Sequence, residues 1–153
     1  MVRRFVVVAM LGLFACGGSP PPKQQGPQMR TSIARRELPA DLAPLVPKHG
    51  ALATGGGVKS PSFRVIVDTD AKTIATAERS RELTPRNEQY LMQLCADAWK
   101  EPAPATPPDK VEGYDEFLII ADGDEVFFLE GHGPITRPAA AKAIEALRAA
   151  AAL

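Results

Sequence analysis

The sequence has few of the side chains that usually mark a catalytic or metal-binding site. Its 153 residues include two cysteines, Cys16 and Cys95, and two histidines, His49 and His132. Two cysteines exclude a framework of several disulfides, and no CxxC, HxH or HxxxH spacing predicts a zinc site. The chain also lacks a GxSxG motif and a phosphate-binding glycine loop followed by Lys-Ser/Thr, so neither acyl transfer nor nucleotide binding is predicted.

An excess of basic charge and a long hydrophobic run are also missing. The 18 lysines and arginines are balanced by 18 acidic residues. With no basic face and no aromatic stacking platform, nucleic acid is not an expected partner. The longest apolar run, Phe5–Ala15, has 11 residues, whereas a helix that spans a bilayer needs about 20.

That short apolar run follows two cations and precedes a cysteine. Arg3 and Arg4 come before it, which is the order of a bacterial export signal. The sequence Leu13-Phe14-Ala15-Cys16 resembles the lipobox of bacterial lipoproteins. The resemblance implies a signal peptide over residues 1–15, cleavage before Cys16, lipidation of its sulfur, and anchoring that two or three acyl chains make effectively permanent. Because Gly17 is not aspartate, the implied location is the cell envelope, with the outer membrane as default. The alternative is a plain secretory signal with an incidental cysteine.

Residues 16–61 are predicted to form a disordered linker. Residues 17–61 hold 8 of the 15 prolines, 7 of the 12 glycines and no aromatic residue, so they offer little apolar surface to offset chain entropy. Within this stretch Leu38, Leu42, Leu45 and Val46 lie between prolines; they predict a transient turn or a docking peptide. The linker carries a net charge of +4 and residues 62–153 carry −6, which favours a basic tether at anionic headgroups and an acidic body facing outward.

Residues 62–153 are predicted to form one small α+β domain. Strands are expected at Ser62–Asp68, Thr73–Glu78, Glu116–Ala121 and Glu125–Leu129, with a hairpin turn at Asp122-Gly123-Asp124. Helices are expected after the caps Thr84 and Thr136, with buried stripes made by Leu91, Leu94, Cys95 and Ala98 in the first and by Ala140, Ile144, Leu147 and Ala151 in the second. The order is ββαββα, which predicts a four-stranded antiparallel sheet with both helices on one face. Apolar residues on both sides of the second hairpin predict that its far face is covered by the tether or by a partner.

The order of these elements resembles the emfourin family of small bacterial metalloprotease inhibitors and envelope lipoproteins of similar plan. The resemblance covers residues 62–150 and depends on Leu83-Thr84-Pro85 at the start of a helix and on Tyr114-Asp115-Glu116-Phe117 at the start of a strand after a proline-rich loop. That family has a glycine-rich first strand, whereas this chain has Ser60-Pro61-Ser62 at the expected place. The resemblance implies protein binding and assigns no inhibitory residue.

The remaining candidate residues have ordinary explanations beside the chemical ones. Cys95 is expected to be a small buried side chain rather than a nucleophile, and Asp122, Asp124 and Glu125 are expected to form a turn rather than a calcium site. His132, between two glycines, is a candidate metal ligand or general base. Asp109, Glu112, Asp115 and Glu116 form an acidic run that either binds a cation or a basic partner, or is a solvated loop.

Two functions of different classes follow from this sequence. The first is a membrane-anchored lipoprotein whose small acidic domain is a protein-binding or regulatory module for an envelope protein, with protease inhibition as one form. This reading predicts no enzyme activity, no cofactor, and no catalytic or metal-binding residue; Cys16 is its one assigned site. The alternative is a small metal-dependent enzyme or cation-binding factor that uses His132 and the acidic loop.

Overall fold

The computed structural model describes residues 32–57, 60–106 and 108–153. In these residues seven strands form one antiparallel sheet in the order β1-β7-β6-β2-β3-β4-β5, accompanied by two α-helices and two short 3-10 turns. The strands are β1 (Ser32–Ala34), β2 (His49–Gly57), β3 (Ser60–Asp68), β4 (Thr73–Thr76), β5 (Ser80–Glu82), β6 (Tyr114–Asp122) and β7 (Glu125–Gly131); the helices are α1 (Pro85–Lys100) and α2 (Pro138–Ala152). The α+β class is confirmed, but the predicted four-stranded ββαββα sheet is wrong.

The main correction concerns β2, which lies inside the segment that was predicted to be linker. This strand pairs with β3 on one side and with β6 on the other. It therefore separates the two hairpins that were expected to be neighbours. Its Ala51, Leu52 and Ala53 are fully buried, because both faces of the strand are covered. Residues 49–57 are thus an internal strand of the sheet, and the described domain includes residues from Ser32 onward.

Both helices pack on one face of the sheet. Ala51, Val67 and Leu118 point to this face from three adjacent strands and share a buried cluster with the helices. The apolar stripes predicted for the helices are all buried: Leu91, Leu94, Cys95, Ala98 in α1 and Ala140, Ile144, Leu147, Ala151 in α2. This helix layer is the larger of the two cores.

The opposite face of the sheet is covered by residues 35–48, which we call the strap. Its Leu38, Leu42 and Val46 are buried against a second apolar cluster that the sheet supplies as Leu52, Ile119, Ala121 and Val126. These sheet residues alternate with those that face the helices, as period-2 geometry requires. Of the two covers predicted for the far face of the second hairpin, tether or partner, the chain's own preceding segment is the one observed.

One arginine fastens the strap to the turn between β6 and β7. Arg35 donates through Nε to the carbonyl oxygen of Gly123 at 2.9 Å. Its other nitrogens donate to the carbonyl oxygens of Val46, Pro47 and Lys48 at 3.2, 2.7 and 3.1 Å. These carbonyls lie in the β6–β7 turn and in the last residues before β2, and the charged guanidinium joins the two segments. The carbonyl of Lys48 also accepts from the backbone N–H of Gly123 at 2.9 Å.

The two helices begin differently. Thr84 caps α1 as predicted, since its hydroxyl accepts from the backbone N–H of Asn87 at 3.3 Å. The predicted cap of α2, Thr136, is wrong: the N-cap residue is Arg137, whose side chain makes no cap hydrogen bond. The carboxylate of Glu101 takes that role by accepting from the backbone N–H groups of Ala139 and Ala140 at 2.9 and 3.2 Å. A carboxylate at this position is also favoured by the helix dipole.

Candidate functional site

One cavity near the candidate residues lies where the ends of α1 and β7 meet the start of α2. We call it the proline cleft. It has a volume of about 300 Å³, which is at the small end of the range for ligand pockets. Its lining consists of Glu101, Pro102, Pro104, Thr106, Pro108 and Asp109 from one side and residues 129–138 from the other. The floor includes Leu129 and Ile135, both buried.

An ion pair joins the two walls of the proline cleft at one end. Arg137 is 6% exposed and its Nε lies 3.7 Å from Oε2 of Glu101, while Nη2 donates to the backbone carbonyl oxygen of Glu101. The Nε and Nη1 atoms of Arg137 have no hydrogen-bond partner among the described residues. Because Glu101 also caps α2, its charge is balanced by the helix end and by the guanidinium together.

A second set of contacts holds the segment that carries His132. The backbone carbonyl of His132 accepts from the N–H of Val111 at 2.6 Å. Gly133 has φ +139, and a Cβ there would lie 3.2 Å from a methyl group of Val111, so glycine permits this close approach. The loop that follows α1 and the segment that follows β7 therefore form one supported unit.

His132 is paired with an acidic residue at the mouth of the proline cleft. Its Nδ1 lies 3.0 Å from Oδ1 of Asp115, and both side chains are more than half exposed. His132 is one of the residues that line the proline cleft, whereas Asp115 is outside the lining. This pair orients the ring through one nitrogen, which is the arrangement that a histidine needs before it can serve in binding or proton transfer.

The predicted acidic run divides into residues with separate roles. Glu116 is 5% exposed and accepts a hydrogen bond from the backbone N–H of Ile135. The hydroxyl of Tyr114 donates to Glu116 at 3.3 Å; burial, followed by the charge of Glu116, raises the pKa of that hydroxyl. Asp109 and Glu112 are exposed. Asp109 lines the proline cleft, so the run supplies one structural carboxylate, one partner for His132 and two surface charges.

At the opposite end of the sheet the second histidine lies between two aspartates. His49 begins β2, and its Nδ1 is 2.7 Å from Oδ2 of Asp70, with Nε2 3.8 Å from Oδ1 of Asp122. The predicted hairpin turn at Asp122-Gly123-Asp124 is confirmed, because Asp122 pairs with Glu125 and Gly123 has φ +65. His49 and His132 belong to different ends of the molecule.

Metal ligation receives no support from the arrangement of side chains. Among the described residues there is no group of three or more His, Cys, Asp or Glu side chains that could hold a metal ion. Cys95 is fully buried in the helix layer, and burial raises the pKa of its thiol to about 12. A thiol in this state is almost entirely protonated at neutral pH and is a poor nucleophile.

Cys16, the predicted lipidation site, and the predicted signal peptide over residues 1–15 lie outside the described residues. In the part of the chain that is described, neither helix has the length and apolar character needed to cross a bilayer.

The sequence analysis missed several residues that shape the proline cleft. Glu101 and Arg137 were not singled out, and the prolines at 102, 104 and 108 were noted only as a proline-rich loop before a strand. A signal was present: a second cluster, Pro134 and Pro138, flanks the same cleft from the other side. Proline clusters from two loops that both adjoin helix ends indicate a rigid, apolar surface.

Comparison with models of protein families, with curated proteins and with solved structures gives no match to this chain.

Proposed function

We propose that this protein is a lipid-anchored envelope lipoprotein whose acidic α+β domain binds another envelope protein through the proline cleft. The activity of the domain is to bind or regulate that protein, and inhibition of a protease is one form of it. Lipid on Cys16 holds the domain on a membrane, with the bacterial outer membrane as the default address. The observation that carries the proposal is the proline cleft itself: a rigid, largely apolar cavity whose lining includes the exposed Asp109 and the half-buried Glu130.

The charge distribution supports an anchored arrangement. Residues 1–31 contain four basic residues and no acidic residue, whereas residues 32–153 contain 14 basic and 18 acidic residues, a net charge of −4. An acidic domain is repelled by anionic headgroups, while a basic amino-terminal segment is attracted to them. This balance keeps the domain available to a partner instead of pressed on the lipid.

The resemblance to the emfourin family gains one supporting detail. A glycine-rich strand precedes Ser60-Pro61-Ser62, since β2 ends in Gly55-Gly56-Gly57 and pairs with β3. In this chain the glycines allow close contacts: a Cβ on Gly57 would lie 1.6 Å from the carbonyl oxygen of Gly113. Protease inhibition therefore remains within the proposal.

The anchor is tested by replacing Cys16 with serine. The wild-type protein is expected in the membrane fraction with a mass that includes acyl chains, and Cys16→Ser is expected in the soluble fraction without them. An unchanged distribution of the variant would contradict the anchor.

The binding role is tested by filling the proline cleft. Thr136 is exposed and lines it, so Thr136→Trp adds a bulky ring at its mouth. The matched control is Ser80→Trp, on the exposed β5 edge far along the sheet order. After cross-linking in whole cells, we expect the partner protein to be cross-linked to the wild type and to Ser80→Trp. We expect no cross-link to Thr136→Trp. Equal cross-linking by all three would exclude the proline cleft as the binding site.

The alternative function, a cation-dependent enzyme or cation-binding factor, has one observation in its favour. His132 is oriented by Asp115 at the mouth of the cavity, which resembles the way in which a carboxylate holds a histidine for ligation or proton transfer. Calorimetric titration with zinc and calcium tests it. Binding that is lost in His132→Gln but kept in His49→Gln would support this second function.

A further inference from the structure

The proline cleft has the size of a binding site for a side chain rather than for a large cofactor. Its volume of about 300 Å³ lies at the lower limit for small-molecule pockets. Five prolines, Leu129 and Ile135 are among the residues that line it, and its surface is mainly apolar. Prolines carry no backbone N–H and do not change φ, so this lining offers few donors and loses little entropy when a ligand binds. Burial of an apolar group is the main interaction available there.

Two of the carboxylates that line the proline cleft are uncompensated. Asp109 and Glu130 have no ion pair among the described residues, whereas Glu101 is paired with Arg137 and with the first turn of α2. The single arginine of the lining, Arg137, has its charge balanced by Glu101, and the imidazole of His132 faces Asp115. The unpaired charge at the proline cleft is therefore negative.

We propose that the proline cleft binds an apolar side chain of a partner protein that has a lysine or arginine beside it in sequence, an inference that rests on the protein-binding function proposed above. The apolar group fills the cavity, and the neighbouring cation lies near Asp109 and Glu130. Apolar anchors in preformed pockets supply most of the energy of such contacts, while complementary charge at the rim raises the association rate and selects the partner. The same charge disfavours anionic lipid as the occupant.

Short peptides test this chemistry directly. The probes are acetyl-Gly-Lys-Phe-Lys-Gly-amide, the acidic counterpart with both lysines replaced by glutamate, and the apolar-deficient counterpart with phenylalanine replaced by serine. The protein is isotope-labelled, purified in mild detergent and titrated at low salt while backbone amide signals are followed by NMR. The basic peptide with phenylalanine is expected to bind at least fivefold more tightly than either counterpart and to shift the amides of Leu129, Gly131 and Ile135.

Charge variants separate the rim from the cavity. Asp109→Asn combined with Glu130→Gln is expected to lower the affinity for the basic peptide about fivefold. Glu112 is an exposed acidic residue outside the lining, so Glu112→Gln is expected to leave the affinity unchanged. The difference between the double variant and wild type is expected to disappear at about 0.5 M salt, because rim charges are screened. The unfolding transition of each variant is measured to show that the fold is kept.

The possible failures are distinct. Equal binding of the three peptides, no binding of any, or stronger association with anionic phospholipid vesicles than with neutral ones would overturn the chemistry proposed for the proline cleft. The distribution of Cys16→Ser between membrane and soluble fractions and the cross-linking of Thr136→Trp do not depend on the outcome of the peptide titration. Failure of this inference is therefore distinguishable from failure of the proposed function.

Discussion

Arg35 and Gly123 are joined by a 2.9 Å hydrogen bond from the guanidinium Nε to the backbone carbonyl oxygen. This contact connects the first described segment of the chain to the turn between β6 and β7. Because the same guanidinium also binds three carbonyls of the strap, one side chain fixes both ends of the cover over the second core.

Replacing Arg35 with alanine is expected to lower the free energy of unfolding by about 2–3 kcal/mol, since several carbonyl oxygens lose a charged donor. Arg36 is the adjacent residue of the same 3-10 turn and is exposed, so Arg36→Ala is the matched control and is expected to cost under about 0.5 kcal/mol. Urea unfolding of the purified protein measures both. Equal losses in the two variants would show that Arg35 does not hold the strap.

A chain that starts at Ser62 is expected not to fold. It lacks β2, the common neighbour of β3 and β6, and it lacks the strap that buries Leu52 and Ile119. A chain that starts at Ser32 retains every described strand and is expected to unfold cooperatively in urea. Far-ultraviolet circular dichroism through the transition measures this difference, and a cooperative transition in the shorter chain would contradict the central position of β2.

Replacing Glu101 with glutamine is expected to destabilise the protein by about 2–4 kcal/mol, because the buried guanidinium of Arg137 loses its counter-ion and α2 loses a charged cap. Glu112→Gln is the control, since Glu112 is exposed in the same loop. Thermal unfolding of the two variants at neutral pH gives the comparison. If Glu101→Gln has the same unfolding temperature as the control, Glu101 does not join the walls of the proline cleft.

The thiol of Cys95 is expected to be unreactive in the folded protein. Burial raises its pKa from 9.0 to about 12, so the thiolate that attacks disulfide reagents is scarce and inaccessible. In the Cys16→Ser background, labelling by a disulfide reagent at pH 8 is expected to be slow until urea unfolds the chain.

The same shift predicts a dependence of stability on pH. Above pH 9 an unfolded thiol loses its proton while the folded thiol keeps it, so Cys95 is expected to lower the free energy of unfolding by about 1.4 kcal/mol per pH unit between pH 9 and 12. Cys95→Ala is expected to remove this contribution. Rapid labelling without urea, or an identical pH dependence in Cys95→Ala, would contradict the buried position.

The helices were predictable because one face of each meets water, and the second hairpin was predictable from its turn residues. The stripe from Leu91 to Ala98 has the helical period, and the turn at Gly123 joins two apolar runs. In each case local chemistry and the final packing favour the same structure. The start of α2 was not predictable in the same way. Thr136 precedes this helix, but the chain caps it with Glu101, which is distant in sequence.

Strand β2 was not predictable from periodicity. A strand that is buried on both faces has no polar side to alternate with, and His49–Gly57 consists mainly of small residues. Glycine and alanine are poor strand formers in isolation. Together with the neighbouring prolines, they made the whole region resemble a disordered linker in composition. Bulky neighbours such as Phe63, whose ring would contact a Cβ on Gly55 at 2.7 Å, supply the volume that β2 lacks. The proline cleft was missed for a different reason, because its walls come from two chain segments, within residues 101–109 and 129–138, that are distant in sequence.

The early entry of the chain into the sheet limits how far the domain could lie from a bilayer under the proposed anchoring at Cys16. If Cys16 is the attachment point, fifteen residues lie between it and Ser32, and even a fully extended backbone over that distance measures only about 55 Å. The 45-residue linker expected from composition would allow nearly three times this distance when stretched. A protein that engages the proline cleft must then come within that short radius, which restricts the search for it to components fixed in the same membrane or passing close to its surface.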